Sequence, residues 1–129
     1  MGKRSRARAR AGSGAEPLPD APATDYPAPG GDQTLTLRGA MTAGTRMAYQ
    51  RALRGEDRAP GAARDDAWQR AVELLFERLA VRWVLDGVPT EGQNDLLARF
   101  RVASQDERRF VRDALRAHLA EHFPELPAP

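Results

Sequence analysis

The chain has 129 residues, with 20 basic and 18 acidic side chains, a formal net charge of +2, and no cysteine. That length accommodates one small domain with an extension, and the lack of cysteine excludes disulfides and thiolate chemistry. No apolar run approaches the roughly 18 residues of a membrane span, so membrane insertion is not expected.

Charge is unevenly distributed. Met1 to Gly14 holds Lys3, Arg4, Arg6, Arg8 and Arg10 and no acid, whereas residues 41–129 balance 14 basic against 14 acidic side chains. The stretch to Gly31 adds Pro17, Pro19, Pro22, Pro27 and Pro29, with only Leu18 and Tyr26 as sizeable apolar groups. Such a composition buries too little apolar surface to offset its ordering entropy. Residues 1–37 are therefore expected to form a disordered arm, first basic and then rich in Pro, Ala and Gly. "TLTL" at Thr34–Leu37 alternates like a strand, but it is short and isolated. No apolar core follows the basic start as a secretory signal requires, and the expected location is cytoplasmic. One Lys against 19 Arg, with abundant Ala, looks like GC-rich bacterial coding and carries no functional information.

The rest reads as helices. The segment from about Met41 to Arg54 is the first, although Gly39 and Gly44 each cost it about 1 kcal/mol against Ala. The loop "GEDRAPGA" from Gly55 precedes the longest helical run, "ARDDAWQRAVELLFERLAVRWVLDGVP". Asp65 or Asp66 can cap its start, while Gly87 in the left-handed conformation and Pro89 close it. Two capping boxes follow. "TEGQ" at Thr90–Gln93 opens a helix to about Val102, and "SQDE" at Ser104–Glu107 opens another to about His122, ahead of Pro124. These segments predict an all-α fold, a small bundle of three to four helices over residues 38–123 with a short tail at 124–129.

At about 100° per residue, Trp68, Val72, Leu75, Phe76, Leu79 and Trp83 share the wide core face of the long helix. Leu74, Val81 and Leu85 form a narrower stripe almost opposite, either buried within the chain or available to a partner or a second copy. On the last helix Phe110, Val111, Ala114 and Leu115 point inward with His118, and Arg108, Arg109, Arg112 and Arg116 form a basic ridge on the far side.

"HLAEH", His118–His122, matches the H-x-x-E-H spacing of a class of zinc proteases. A catalytic zinc takes three protein ligands, and only seven residues follow His122. Glu125 is among them, without a scaffold to hold it. Histidines near a helix C-terminus have an ordinary role, because they interact favourably with its carbonyl end, and neither metal nor cofactor is expected. Of the serines, Ser5 and Ser13 lie in the arm and Ser104 is a cap. "APGG" at Ala28–Gly31 lacks the strand and helix that make a phosphate loop, and a domain of this size leaves little room for a pocket of ~300 Å³.

The resulting expectation is a small cytoplasmic, non-enzymatic helical adaptor or regulatory module. It would act by protein contact, self-association included, through Leu74, Val81 and Leu85 or through Arg108, Arg109, Arg112 and Arg116. The alternative is a nucleic-acid-associated protein that uses Lys3, Arg4, Arg6, Arg8 and Arg10 with the same ridge. An extended "KRSRARAR" puts alternate Arg on one side at about 7 Å spacing, close to the phosphate repeat. Such binding is weak, salt-dependent and sequence-blind, and no aromatic interleaves to stack on bases. A helix-turn-helix made from the last two helices is disfavoured, because Asp106 and Glu107 would lead into the duplex.

Overall fold

Val81, Trp83 and Val84 are the β-branched and aromatic residues that suit a pleated sheet, and the Asp86-Gly87 pair that follows them has φ of 50° and 81°. Positive φ at both central residues is the two-residue hairpin turn favoured by Asp-Gly. The computed structural model, which describes residues 22–55 and 64–129, turns the chain there into a sheet. Its elements in order are β1 (Thr24–Pro27), β2 (Gln33–Leu37), α1 (Ala43–Arg54), α2 (Arg64–Leu79), β3 (Ala80–Leu85), β4 (Val88–Glu91), α3 (Gln93–Arg101) and α4 (Gln105–His122).

The all-α expectation is thus corrected to a mixed α/β fold. Four strands form one antiparallel sheet in the order β1-β2-β3-β4. The long helical run stops at Leu79 and passes into β3 without a loop. Thr34–Leu37 is not isolated, because it pairs with β1 on one side and with β3, Leu35 opposite Trp83, on the other. Residues 24–37, expected in the arm, therefore build the first hairpin. "APGG" is its turn, in which Gly31 N–H donates to Ala28 O over 2.9 Å with Gly31 at φ 77°. The expectation of disorder for residues 1–21 lies outside the described residues, as does most of "GEDRAPGA".

Alternation gives the sheet two unlike faces. Leu35, Leu37 and Trp83 are fully buried, while Asp25, Arg82, Pro89 and Glu91 lie exposed on the other side. The buried face joins Val72, Leu75, Phe76 and Leu79 of α2, Leu96 and Phe100 of α3, and Val111, Leu115 and Leu119 of α4 in one core. Trp83 is its largest member, and its indole N–H finds a buried partner in Gln33 Oε1 at 3.1 Å. That hydrogen bond removes the desolvation penalty that an unpaired indole would carry.

Helix ends follow the chemistry of their residues. Thr42 caps α1, accepting from Thr45 N–H at 3.0 Å, and Gly55 closes it at φ 77°. The "SQDE" capping box forms: Glu107 N–H donates to Ser104 Oγ at 3.1 Å, and Ser104 N–H donates to Glu107 Oε1 at 3.0 Å. The "TEGQ" box does not, because Thr90 is in β4, Gly92 occupies the cap, and the Gln93 amide donates to Glu77 O at 3.0 Å instead. Beyond α4, Phe123 and Leu126 are buried. Tyr49 Oη donates to Pro127 O over 2.6 Å and Arg46 pairs with Glu125, so the last residues pack onto α1.

Candidate functional site

α3 and α4 are joined by three residues, Val102 to Ser104, and the corner between them is tied by charge. Arg99 donates to both oxygens of Glu107 at 3.0 Å, and Arg101 reaches back to Glu73 of α2 at 2.9 Å. Backbone and arginine hydrogen bonds hold the Glu107 carboxyl below its ordinary range, the cap N–H of Ser104 first and Arg99 after it. This corner brings the first two turns of α4 alongside the first two turns of α2 and leaves a groove of about 460 Å³ between them. That volume exceeds the ~300 Å³ for which a domain of this size is expected to leave little room. Trp68, Val72 and Phe100 form the floor, Arg108, Arg109 and Arg112 one wall, and Asp66, Arg70 and Glu73 the other.

Three of the four arginines of α4 line the groove, and two of them are held by rings or carbonyls. The Arg108 side chain donates to Arg101 O at 2.9 Å and to Ala103 O at 3.3 Å, with its guanidinium 5.1 Å from the centre of the Phe100 ring. Arg112 lies over Trp68 at 5.5 Å. Its buried Nε is 3.7 Å from Asp113 Oδ1, too long for a hydrogen bond, and has no hydrogen-bond partner among the described residues. Arg109 stands 3.7 Å from Asp106. Carbonyl oxygens and ring faces orient a guanidinium without neutralising it. Arg99 and Arg101, by contrast, are matched at close range by carboxylates. The α4 wall of the groove therefore carries positive charge above an aromatic floor, facing a wall of mixed sign.

Of the residues singled out in the sequence, Arg108, Arg109 and Arg112 come together here, while Arg116 is exposed on α4 and does not line the groove. Leu74, Val81 and Leu85, all half-buried, do not share one helical face. Helical geometry ends at Leu79, so Leu74 packs from α2 against the core, and Leu85 packs against it from the sheet. Val81 is the extra residue of a bulge, because Thr36 pairs with Arg82 and Leu37 with Ala80. Lys3, Arg4, Arg6, Arg8 and Arg10 lie outside the described residues. Trp68 and Phe100 are the parts of the groove that sequence reasoning missed. Trp68 was expected in the core face and is only half-buried, and the one available signal was its position at the helix start, where the arc runs out of neighbours to cover it.

His118 and His122 face the first hairpin. His118 is fully buried, with Nε2 2.6 Å from Arg38 O and Nδ1 2.7 Å from Tyr26 Oη. A carbonyl only accepts, so Nε2 carries the proton and Nδ1 of the neutral ring accepts from the tyrosine hydroxyl. Both nitrogens of His118 are thus engaged in joining α4 to β1 and to the end of β2. Burial pushes the His118 pKa down, and the His122 ring 4.5 Å away adds to this against the opposing pull of the Arg38 carbonyl and Glu121. Among the described residues no three His, Asp or Glu side chains gather as a metal site requires. A second groove of about 490 Å³ lies on the other side of α4, where Tyr26, Pro27 and Pro29 face Phe110 and Ala114.

No helix among the described residues is long and apolar enough to cross a membrane. Comparison with known protein families, with characterised proteins and with solved structures finds no match to this chain.

Proposed function

We propose that the chain is a small non-enzymatic interaction module, cytoplasmic by its composition, which acts by protein contact through the groove between α2 and α4. The observation that carries this reading is the arginine wall beside half-buried Trp68, with Arg112 over that ring and Arg108 held over Phe100 by two carbonyls. Arginine and tryptophan are the residues most enriched where partners bind tightly. Side chains already ordered in the free protein lose less entropy on association. The groove's carboxylates support contact rather than chemistry, since Glu73 is committed to Arg101 and no histidine lines it. Because Leu74, Val81 and Leu85 do not share one helical face, the proposal rests on the arginines of the groove.

A photo-crosslinking side chain placed at Gln69, an exposed groove residue, tests the reading in the native host. Protease-sensitive adducts at position 69, absent from a control at Arg51 on α1, are expected. Nuclease-sensitive adducts, or none, would overturn it.

A further inference from the structure

We infer that the occupant of this groove is an acidic peptide segment of a partner protein, with carboxylates meeting Arg109 and Arg112 and an apolar side chain covering the open part of Trp68. The inference rests on the contact reading above and adds the chemistry of the partner. Three features of the groove converge on it.

The first is charge that is only loosely compensated among the described residues. Arg112 and Arg109 stand 3.7 Å from Asp113 and Asp106, solvent-facing neighbours on their own helix, and Arg108 is anchored by carbonyl oxygens. An incoming carboxylate can therefore meet their N–H groups at hydrogen-bond distance without displacing an existing close pair. The second is the ring below. Arg112 stacks over Trp68, so an anion bound by its guanidinium sits beside apolar surface, a pairing that suits a side chain flanked by acids. The third is the opposite wall, where Asp66, Arg70 and Glu73 border the same groove and Glu73 is already paired with Arg101. A wall of mixed sign suits a peptide, whose backbone offers both N–H and C=O groups, better than a phosphodiester strand charged at every nucleotide. The unlike walls thus favour a peptide over a nucleic acid.

Selection from a display library of random dodecamer peptides on the immobilised full chain tests the inference, with recovery by high salt. Wild-type protein should enrich sequences of net negative charge that carry an aromatic or aliphatic residue. Arg109→Glu should weaken the selected peptides about tenfold, as reversing a charge at a complementary contact does, and Arg116→Glu should leave them within about twofold. Arg109 is 61% exposed, so its reversal leaves the core intact, and Arg112→Gln with a circular dichroism check gives a second variant that keeps the stem over Trp68. Neutral or basic sequences that still compete for the groove would sink the acidic partner while sparing the contact reading. No enrichment at all would sink both. Displacement of the peptides by oligothymidylate would make the occupant a nucleic acid, and a dimer by light scattering that Arg109→Glu disperses would make it a second copy. Either result overturns the inference.

Discussion

Acidification should loosen this protein through one side chain. His118 is fully buried with its proton on Nε2, committed to Arg38 O at 2.6 Å, and a second proton would have to enter at Nδ1, where Tyr26 Oη now donates. Burial, helped by His122, holds its pKa below the ordinary value, which in the unfolded chain is about 6.5. A depressed histidine binds fewer protons folded than unfolded, so its contribution to stability is fully present above about pH 6.5 and is lost as pH falls toward the folded pKa. The slope cannot exceed ~1.4 kcal/mol per pH unit for this single proton. Urea unfolding at pH 7.5, 6.0 and 5.0, followed by tryptophan fluorescence, would read it against His118→Gln, which keeps a hydrogen-bonding side chain and removes the titration. Wild type should exceed the variant most at pH 7.5, and the margin should narrow at each step downward. Tyr26 and Glu121 also face this ring, and His122 shares its pocket, so the comparison is made as a difference between two proteins with identical neighbours. A margin that stays constant from pH 7.5 to 5.0, or widens, would refute the buried neutral imidazole and the tautomer derived from it.

Other consequences concern the elements that position the groove. Gly87→Ala meets no atom within 4 Å but places a side chain at φ +81°, so it should cost about 1–2 kcal/mol through backbone strain alone, seen as a lowered Tm with an unchanged circular dichroism spectrum. Ser104→Ala removes the acceptor for Glu107 N–H and should lose about 1 kcal/mol by chemical denaturation, with faster hydrogen exchange confined to the first turn of α4. Trp83→Ala, at a fully buried position, should cost about 3–5 kcal/mol, whereas the half-buried Trp68→Ala should cost less and leave a folded protein whose groove has lost its floor.

How much of this was legible in the sequence depends on whether the deciding contact is local. α4 was, because its signal lies within a turn, Ser104 with Glu107 opening it, and α1 was placed between about Met41 and Gly55, although its Thr42 cap went unread. The buried set of the long segment was also legible, but by a geometry that only partly applies. Trp83 follows Leu79 by four positions and Phe76 by seven, as a helix face requires, and the same residue falls inward on a strand that alternates with Arg82 and Val84. Asp86-Gly87 supports either a helix stop or a hairpin, and Gly87 takes positive φ in both. What decides is the partner strand, Gln33–Leu37, some fifty positions earlier and separated by two helices. No window along the chain contains both. The misreading of residues 24–37 has the same origin, since a four-residue strand gains its stability only from neighbours on the sheet. In the groove, the arginine spacing was visible and the rings beneath it were not, because Phe100 and Trp68 belong to other helices.

The fold and the groove draw on the same few interactions, and salt should separate them. Arg99–Glu107 and Arg101–Glu73 fix the corner at which α4 turns, and that corner sets the distance between Arg112 and Trp68. Arg108 is held there by carbonyls and a ring, which salt weakens less than it weakens attraction between exposed charges. Capped by Ser104 and packed through Val111, Leu115 and Leu119, α4 does not depend on the ion pairs for its existence. Raising salt should therefore leave the arginine wall in place while screening what the wall attracts. Stability would then change little over a range of ionic strength in which affinity for an anionic partner falls steeply. A protein whose melting temperature and binding declined together with salt would instead have a groove that forms only with its ligand, contrary to the ordered guanidiniums on which the proposal stands.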